Sequence, residues 1–379
     1  MPDKVVAQQI AEWDKLTHAV LYTPSYEVAY AQISPIENLY DDVINLGKAR
    51  EEHLLLKDTL KKEGVKVYEL SDLVKQNPLF KSYLVDKIKG LHKKSKYILH
   101  ERWAAALPSI LEGCDPETLW LMAILRPEFL RVSGEKDVRT RSSTLDVRPL
   151  GNLFYMRDQQ FVTDKGLVMG NLKMPARAGE TEITKLGFAS LGINPAYSMK
   201  NSMEGGDFLP AGKFAFVGSG YRNTQDSINE LLKSGALGYE QVVIVNQPPN
   251  QETMHLDTYF NILGHDLVAG DSKILKTSDC TVFTKSDSGY TKKATYKFFE
   301  FLEASGFKVL EVDLSKERFS TNFIALKDRK ILMPANDYLE GPAKRYEKAG
   351  VEVILIHAND LLAGYGGVHC MTAALRRER

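Results

Sequence analysis

The sequence predicts an α/β protein in which one short unit is used five times and closed into a ring, with a helical insertion after the first unit. Three observations lead there. Paired apolar runs separated by tight turn residues recur along the chain. Helices with regular apolar spacing follow them and stop at or near a glycine. The recurrence is about fifty residues long, the scale of a supersecondary repeat. An ordinary open α/β sheet is the alternative that the same pattern allows.

Residues 18–24 (HAVLYTP) read as a short apolar strand closed by proline. Residues 41–64 carry Val43, Ile44, Ala49, Leu54, Leu55 and Leu60 at helical spacing with Gly64 as the stop, and residues 65–70 (VKVYEL) alternate as a strand. The next stretch breaks the rhythm. Residues 72–145 read as helical: 78–94, 95–112, then a helix capped by Asp115 with Pro116 at its first position. Their apolar faces need a partner, so 72–145 is expected to be an insertion domain packed on a main domain of residues 1–71 and 146–379. Its charged run of Glu135, Lys136, Asp137, Arg139 and Arg141 reads as a solvated connector.

The unit then returns. Strands 161–163 and 167–169 flank Asp164-Lys165-Gly166 and lead into a helix at 181–191. Strands 208–210 and 214–217 precede a helix at 224–235 and a strand at 241–245. Strands 259–263 and 267–269 precede a helix at 292–306 and a strand at 308–312. Strands 323–326 and 331–333 precede a helix at 341–350 and a strand at 351–356.

With 379 residues and 44% hydrophobic content, the chain is long enough for a large core. Its 49 basic and 49 acidic residues leave no net field, which argues against nucleic acid or an anionic membrane as partner. Cys114, Cys280 and Cys370 are too few and too far apart for a disulfide framework or a metal cluster. No apolar run has signal-peptide or membrane-spanning length. A soluble, cytoplasmic protein is expected, with self-association into a homo-oligomer left open.

Each hairpin is entered through polar residues that a structural strand does not need. Asn152 to Asp158 precede the second unit, Glu204-Gly205-Gly206-Asp207 the third, and His255-Leu256-Asp257-Thr258 the fourth. In a ring of like units, equivalent positions converge on the axis, so Asp158, Glu204, His255 and Asp257 should share one cavity. The closing stretch Gly366-Gly367-Val368-His369-Cys370 follows the fifth unit and can deliver a thiol there. Crowded carboxylates need a cation. A divalent metal is one candidate, although the ligand set is poor for structural zinc and a thiolate disfavours magnesium or calcium. A planar guanidinium is the other, held by paired hydrogen bonds and attacked by the thiolate while histidine shuttles protons. Alone, the cysteine reads as a buried core thiol and Glu-Gly-Gly-Asp as a turn; equivalent placement in successive units gives them weight.

With these residues in view, the sequence resembles the guanidino-group-modifying superfamily, and within it most closely the arginine deiminases. The resemblance covers nearly the whole chain. It is carried by Leu39-Tyr40-Asp41-Asp42-Val43-Ile44, Met156-Arg157-Asp158, Pro175-Ala176-Arg177 with Glu180, Met203-Glu204-Gly205-Gly206-Asp207, Tyr221-Arg222, Met254-His255-Leu256-Asp257-Thr258 and Gly367-Val368-His369-Cys370-Met371-Thr372. It implies a fivefold pseudo-symmetric α/β propeller of ββαβ units with a helical insertion. It implies Cys370 as nucleophile, His255 as general acid and base, Asp158 and Asp257 on the guanidinium, and Glu204 orienting His255 and the substrate. Unpaired Arg177 and Arg222 with Asn152 would hold an α-carboxylate, and Asp207 and Tyr155 would complete the substrate site. The implied reaction converts L-arginine and water to L-citrulline and ammonia through a covalent thiouronium, with no cofactor and no metal. Amidino transfer to an amine is the alternative within the same chemistry, and a ligand-binding module without catalysis the alternative outside it. Tyr365 stands where many deiminases have arginine, and Tyr155 where phenylalanine is common.

Overall fold

In the computed structural model, which describes residues 4–94, 101–131, 143–287, 289–336 and 339–379, the chain opens with β1 (Lys15–Leu21), α1 (Tyr26–Ala31), α2 (Leu46–Lys62) and β2 (Lys66–Glu69), the last parallel to β1. Helices α3 (Leu70–Lys75), α4 (Phe80–Lys94), α5 (Glu101–Glu112) and α6 (Pro116–Leu125) follow. An antiparallel pair, β3 (Pro127–Arg131) and β4 (Ser143–Val147), ends this stretch. β5 (Gln160–Thr163) and β6 (Gly166–Met169) pair antiparallel, α7 (Glu180–Ser190) crosses over, and β7 (Tyr197–Ser198) returns parallel to β6. The same order recurs in β8 (Phe208–Ala211), β9 (Phe214–Ser219), α8 (Gln225–Lys233) and β10 (Gln241–Asn246).

The next repeat makes an excursion. After β11 (Phe260–Gly264) and β12 (Leu267–Asp271) come α9 (Ser272–Thr277), β13 (Asp279–Ser286), β14 (Gly289–Lys297) and α10 (Phe298–Ala304). Only then does β15 (Lys308–Val312) lie parallel to β12. The last repeat is β16 (Ile324–Lys327), β17 (Lys330–Ala335), α11 (Glu340–Lys348) and β18 (Glu352–His357). β19 (Ala373–Glu378) then pairs antiparallel with β1, so the end of the chain supplies the strand that the first unit lacks. The architecture is mixed α/β. Five sheets share one pattern, an antiparallel pair with a third strand parallel to its second member. β19 packs against β5, β8 against β11, β11 against β16, and β16 against β1.

Local chemistry explains the recurrence. The five crossover helices α2, α7, α8, α10 and α11 each end two residues before a glycine at positive φ: Gly64, Gly192, Gly235, Gly306 and Gly350. Such a residue closes the last turn and turns the chain back toward the sheet. α8 carries a full capping box between Thr224 and Ser227.

Three expectations from the sequence are corrected. Residues 292–297 are strand, and the helix expected at 292–306 is confined to α10. Tyr290, Thr291, Thr295 and Tyr296 suit a strand, and β14 pairs along its length with β13, which extends the third sheet to five strands through β10. Second, the insertion is not wholly helical, because β3 and β4 close it; its charged run at 135–141 lies outside the described residues. Third, α2 starts at Leu46, where Asn45 caps the N–H of Lys48, and residues 41–45 form a loop held by the Ala363 carbonyl.

Helix α6 packs against the first sheet. Leu119, Trp120, Ala123 and Ile124 of α6 enter the same apolar cluster as β1 and β19, and Trp120 meets Tyr22 edge-on at 5.6 Å between ring centroids. Among the described residues, no helix is long and apolar enough to cross a membrane.

Beneath the first sheet lies a buried ion cluster. Arg377 of β19 donates to Glu12 Oε2 at 2.6 Å, and the Arg157 Nη1 stands 3.5 Å from Glu12 Oε1. Burial opposes ionisation of Glu12, but Arg377 and Arg157 outweigh it and hold the carboxyl well below the usual range. Glu12→Gln would leave two buried arginines without their counterion. It should cost about 3–5 kcal/mol, read from urea unfolding at neutral pH. Because the native pKa is depressed, this contribution is present above the ordinary carboxylate range and lost as pH falls through the native value. The stability gap between wild type and variant should therefore shrink below about pH 4; a gap that does not depend on pH would refute the ion-pair account.

Candidate active site

The polar ends of the units meet in one pocket. Asn152, Tyr155, Asp158, Arg177, Arg222, His255 and Cys370 line it. The convergence follows from the topology: each entry segment sits just ahead of the first strand of its sheet, and the chain's last turn runs in ahead of β19. Glu204, Asp207 and Asp257 are fully buried directly behind that wall.

His255 is held on two sides. Its Nε2 is 2.8 Å from Glu204 Oε2, and its Nδ1 is 3.6 Å from Asp158 Oδ1. The ring lies so close to the chain at residue 206 that a Cβ there would sit 2.7 Å from Nδ1, which explains Gly206. Burial disfavours the imidazolium, but Asp158 and Glu204 outweigh it and raise its pKa to about 9. Glu204 moves the other way, down to about 2, because the bond to His255 overcomes the effect of burial. At neutral pH the pair is imidazolium and carboxylate, a proton donor ready in the wall of the cavity.

Cys370 is buried, and its Sγ lies 3.7 Å from Asp257 Oδ2. The same oxygen is 2.6 Å from His369 Nδ1. Burial, Asp257 and Asp158 push the thiol well above its ordinary value. In the unliganded protein the sulfur therefore keeps its proton. A cation entering beside Asp158 and Asp257 would remove much of that penalty.

Two substrate residues expected from the sequence are engaged differently. Arg177 is not unpaired. Its Nη1 is bonded to Asp158 Oδ2, its Nη2 donates to Glu180 Oε2 at 2.8 Å, and its Nε also faces Glu180. A buried guanidinium needs counterions, and Asp158 and Glu180 are the nearest. Asp207 does not line the cavity. Its carboxylate accepts from Gln247 at 2.9 Å, Asn223 at 2.9 Å and the Leu256 N–H at 3.1 Å, which ties the third unit to the fourth. Burial still raises it to about 7. The amide of Asn152 donates to the Asn38 carbonyl at 2.7 Å, and the Tyr155 hydroxyl to Leu361 O at 2.9 Å, so both brace the rim.

Arg222 matches the expectation of an uncommitted arginine more closely. Its Nη2 donates to Gln251 at 3.0 Å, while Nε and Nη1 are buried without a hydrogen-bond partner. Two carboxylate oxygens are in the same condition, Asp158 Oδ1 and Asp257 Oδ1. Among the described residues, Asp158, Glu204 and His255 also offer a possible metal site, one ligand atom each within 4.8 Å of one another. Their lone pairs are already committed in part to Arg177 and to each other. The cation this cluster does hold is a guanidinium.

Asn322, Glu180 and His369 were not picked out as site residues from the sequence. Asn322 sits just ahead of β16, the position by which the other site segments were found, and Ser320-Thr321-Asn322 is as polar as they are.

Comparison with known proteins shows the family of the chain. The arginine deiminase family profile matches residues 37–377. A curated arginine deiminase of Halobacterium salinarum is 25% identical over 478 residues, covering 99% of this chain and 97% of its own. Among solved structures, DDAH from Pseudomonas aeruginosa, a cysteine-to-serine mutant complexed with citrulline, superposes with a TM-score of 0.57 at 14% identity over 94% of this chain and 98% of its own. Unliganded AgrE superposes with a TM-score of 0.60 at 15% identity, covering 95% of this chain and 39% of AgrE. At such identities the two structures establish the fold alone.

The His255 assignment can be tested by titration. NMR of the imidazole should give a midpoint near 9, and Glu204→Gln should bring it back toward the ordinary histidine value. In stability, a raised histidine pKa contributes fully below about pH 6.5 and is lost as pH rises through the native value. An unmoved midpoint in the variant would remove Glu204 as the cause.

Proposed function

The chain belongs to the arginine deiminase family and is an enzyme acting on a guanidino group, and we propose that it hydrolyses L-arginine to L-citrulline and ammonia through a covalent adduct on Cys370. One observation carries this reading. Beside the thiol, Asp158 Oδ1 and Asp257 Oδ1 lack a hydrogen bond, the former having only the ionic contact with His255 at 3.6 Å, and Arg222, which lines the same pocket, lacks one at Nε and Nη1. Buried polar groups left unpaired in a native protein call for a ligand. Carboxylates and a guanidinium around one pocket fit a molecule that carries both a cationic and an anionic group, as arginine does.

The chemistry follows from the protonation states. The arriving guanidinium pairs with Asp158 and Asp257, offsets the charges that retain the thiol proton, and lets that proton pass to solvent. The thiolate adds to the central guanidinium carbon, giving a neutral tetrahedral adduct. The His255 imidazolium protonates one nitrogen, the C–N bond breaks, and ammonia departs from a cationic thiouronium. Neutral His255, still oriented by Glu204, takes a proton from water as the water adds to the same carbon. Collapse forms the C=O of citrulline and breaks the C–S bond, the hydroxyl proton passing to the departing sulfur and restoring the thiol. No cofactor enters.

The same reading closes the five sheets into a fivefold propeller around this site. What supports the closure is the repeated strand pattern and the packing of β19 on β5, β5 on the turn Gly205–Asp207 that leads into β8, β8 on β11, β11 on β16 and β16 on β1. Residues 1–71 and 146–379 then form the catalytic domain and 72–145 the insertion. Three free cysteines suit a reducing cytoplasm.

Incubation with L-arginine alone should release ammonia and citrulline in equal amounts; turnover that requires an added amine would point to amidino transfer instead. Cys370→Ser should lower kcat on the order of a thousandfold or more. Arg222→Ala should raise KM for arginine about a hundredfold, the size of a lost charge-assisted contact, while barely changing that for agmatine, which has no carboxylate. Equal losses for both substrates would dismiss Arg222 as the carboxylate anchor.

A further inference from the structure

Asn322 is fully buried and places its amide against the nucleophile. Its Oδ1 accepts from the Gly367 N–H at 2.9 Å and from the Cys370 N–H at 3.3 Å. Backbone N–H groups only donate, so the atom facing them has to be the oxygen, and the amide orientation is settled by chemistry. The NH₂ group then points the other way. Nδ2 lies 3.1 Å from Cys370 Sγ and 3.2 Å from the Asp257 carbonyl. A Cβ at residue 367 would come within 2.8 Å of Oδ1, so the chain is glycine where Asn322 grips it.

The sulfur thus has two polar neighbours of opposite effect. As a thiol it donates toward Asp257 Oδ2 and accepts from Asn322; as a thiolate it loses the first contact and strengthens the second. We propose that Asn322 is the thiolate-binding residue of Cys370, its side-chain N–H holding the ionised sulfur while its oxygen sets the turn that carries it. This deepens the proposed hydrolase reading and rests on Cys370 being its nucleophile. The charged and titratable groups facing the sulfur are Asp257, Asp158, Tyr155, His255 and Arg177. The carboxylates oppose ionisation, and the Asn322 bond favours it.

Asn322→Asp keeps an oxygen toward Gly367 and Cys370 and removes the donor facing the sulfur, but it also adds a negative charge there. Asn322→Leu, which removes the donor without a charge, is therefore measured beside it and should slow alkylation in the same direction. Alkylation of Cys370 by iodoacetamide, followed by mass spectrometry of its peptide at a series of pH values, reads thiolate formation without any substrate. The variant should react about ten- to a hundredfold more slowly at pH 8, with its pH profile moved upward, as expected for a lost hydrogen bond to a charged group. With arginine, kcat should fall by a similar factor at nearly unchanged KM. An unaltered alkylation rate and profile would overturn the assignment, whether or not arginine is the substrate. If the variant does not fold, the side-chain amide of Asn322 can be followed by NMR in the wild-type protein. Its resonance should shift with the pH profile of Cys370 alkylation, and a resonance that ignores that profile would refute the contact equally.

Discussion

Carboxylates removed from water within a small volume are the constraint on which this molecule turns. Glu12, Asp158, Glu180, Glu204, Asp207 and Asp257 are all buried, and each has a different solution to its charge. Glu12 takes two arginines, Glu180 takes Arg177, Glu204 takes a proton-bearing histidine, and Asp207 relies on neutral amides. Asp158 and Asp257 are each paired through one oxygen, with Arg177 and His369, and the other oxygen of each has no hydrogen bond. A buried polar atom left without one is costly. The two incomplete solutions flank the thiol, and that is where a cationic substrate completes the set.

The structural cations are therefore as informative as the acids. Arg377 and Arg157 fasten the last strand and the entry segment of the second unit to Glu12, and the Arg157 N–H bonds the Cys370 carbonyl at 2.8 Å. Stability and nucleophile position are served by one ion cluster. Arg177 does the same for Asp158, fixing one oxygen so that the other is presented. Rigid charges of this kind favour catalysis because little has to reorganise when substrate charge arrives.

How much of this was legible in the sequence depended on whether the signal was local. Helix-ending glycines, hairpin turns and alternating apolar strands are written in neighbouring residues, so the five repeats could be read. β13 and β14 could not, because Lys285, Lys292, Lys293 and Lys297 mask a strand whose partner, β10, lies some forty residues away. The acids of the site were found through their equivalent positions. Asn322 occupies such a position too, but an asparagine before a strand resembles any turn residue, and only its distance to Sγ distinguishes it. Whether an arginine is free or paired is a matter of space. Arg177 and Arg222 looked alike in sequence, and the fold gave carboxylates to one of them and a glutamine to the other.

The loop before the nucleophile shows the same exchange of roles between distant residues. Tyr365, where the resemblance drawn from the sequence implies an arginine, has a left-handed backbone at φ 70°. Its own side chain brings no charge, yet a guanidinium is still present: Arg318 lies 5.0 Å from the Tyr365 ring centroid and is paired with Asp41. Asp41 in turn follows Leu39 and Tyr40 in the early loop, where Leu39 lines the cavity and the Asp41 N–H bonds the Ala363 carbonyl at 2.7 Å. Three segments far apart in the chain are thereby fastened at the edge of the cavity. The positive charge sits on the segment that also carries Asn322, so the contacts that close the rim and those that hold the sulfur share one short stretch, residues 318–322.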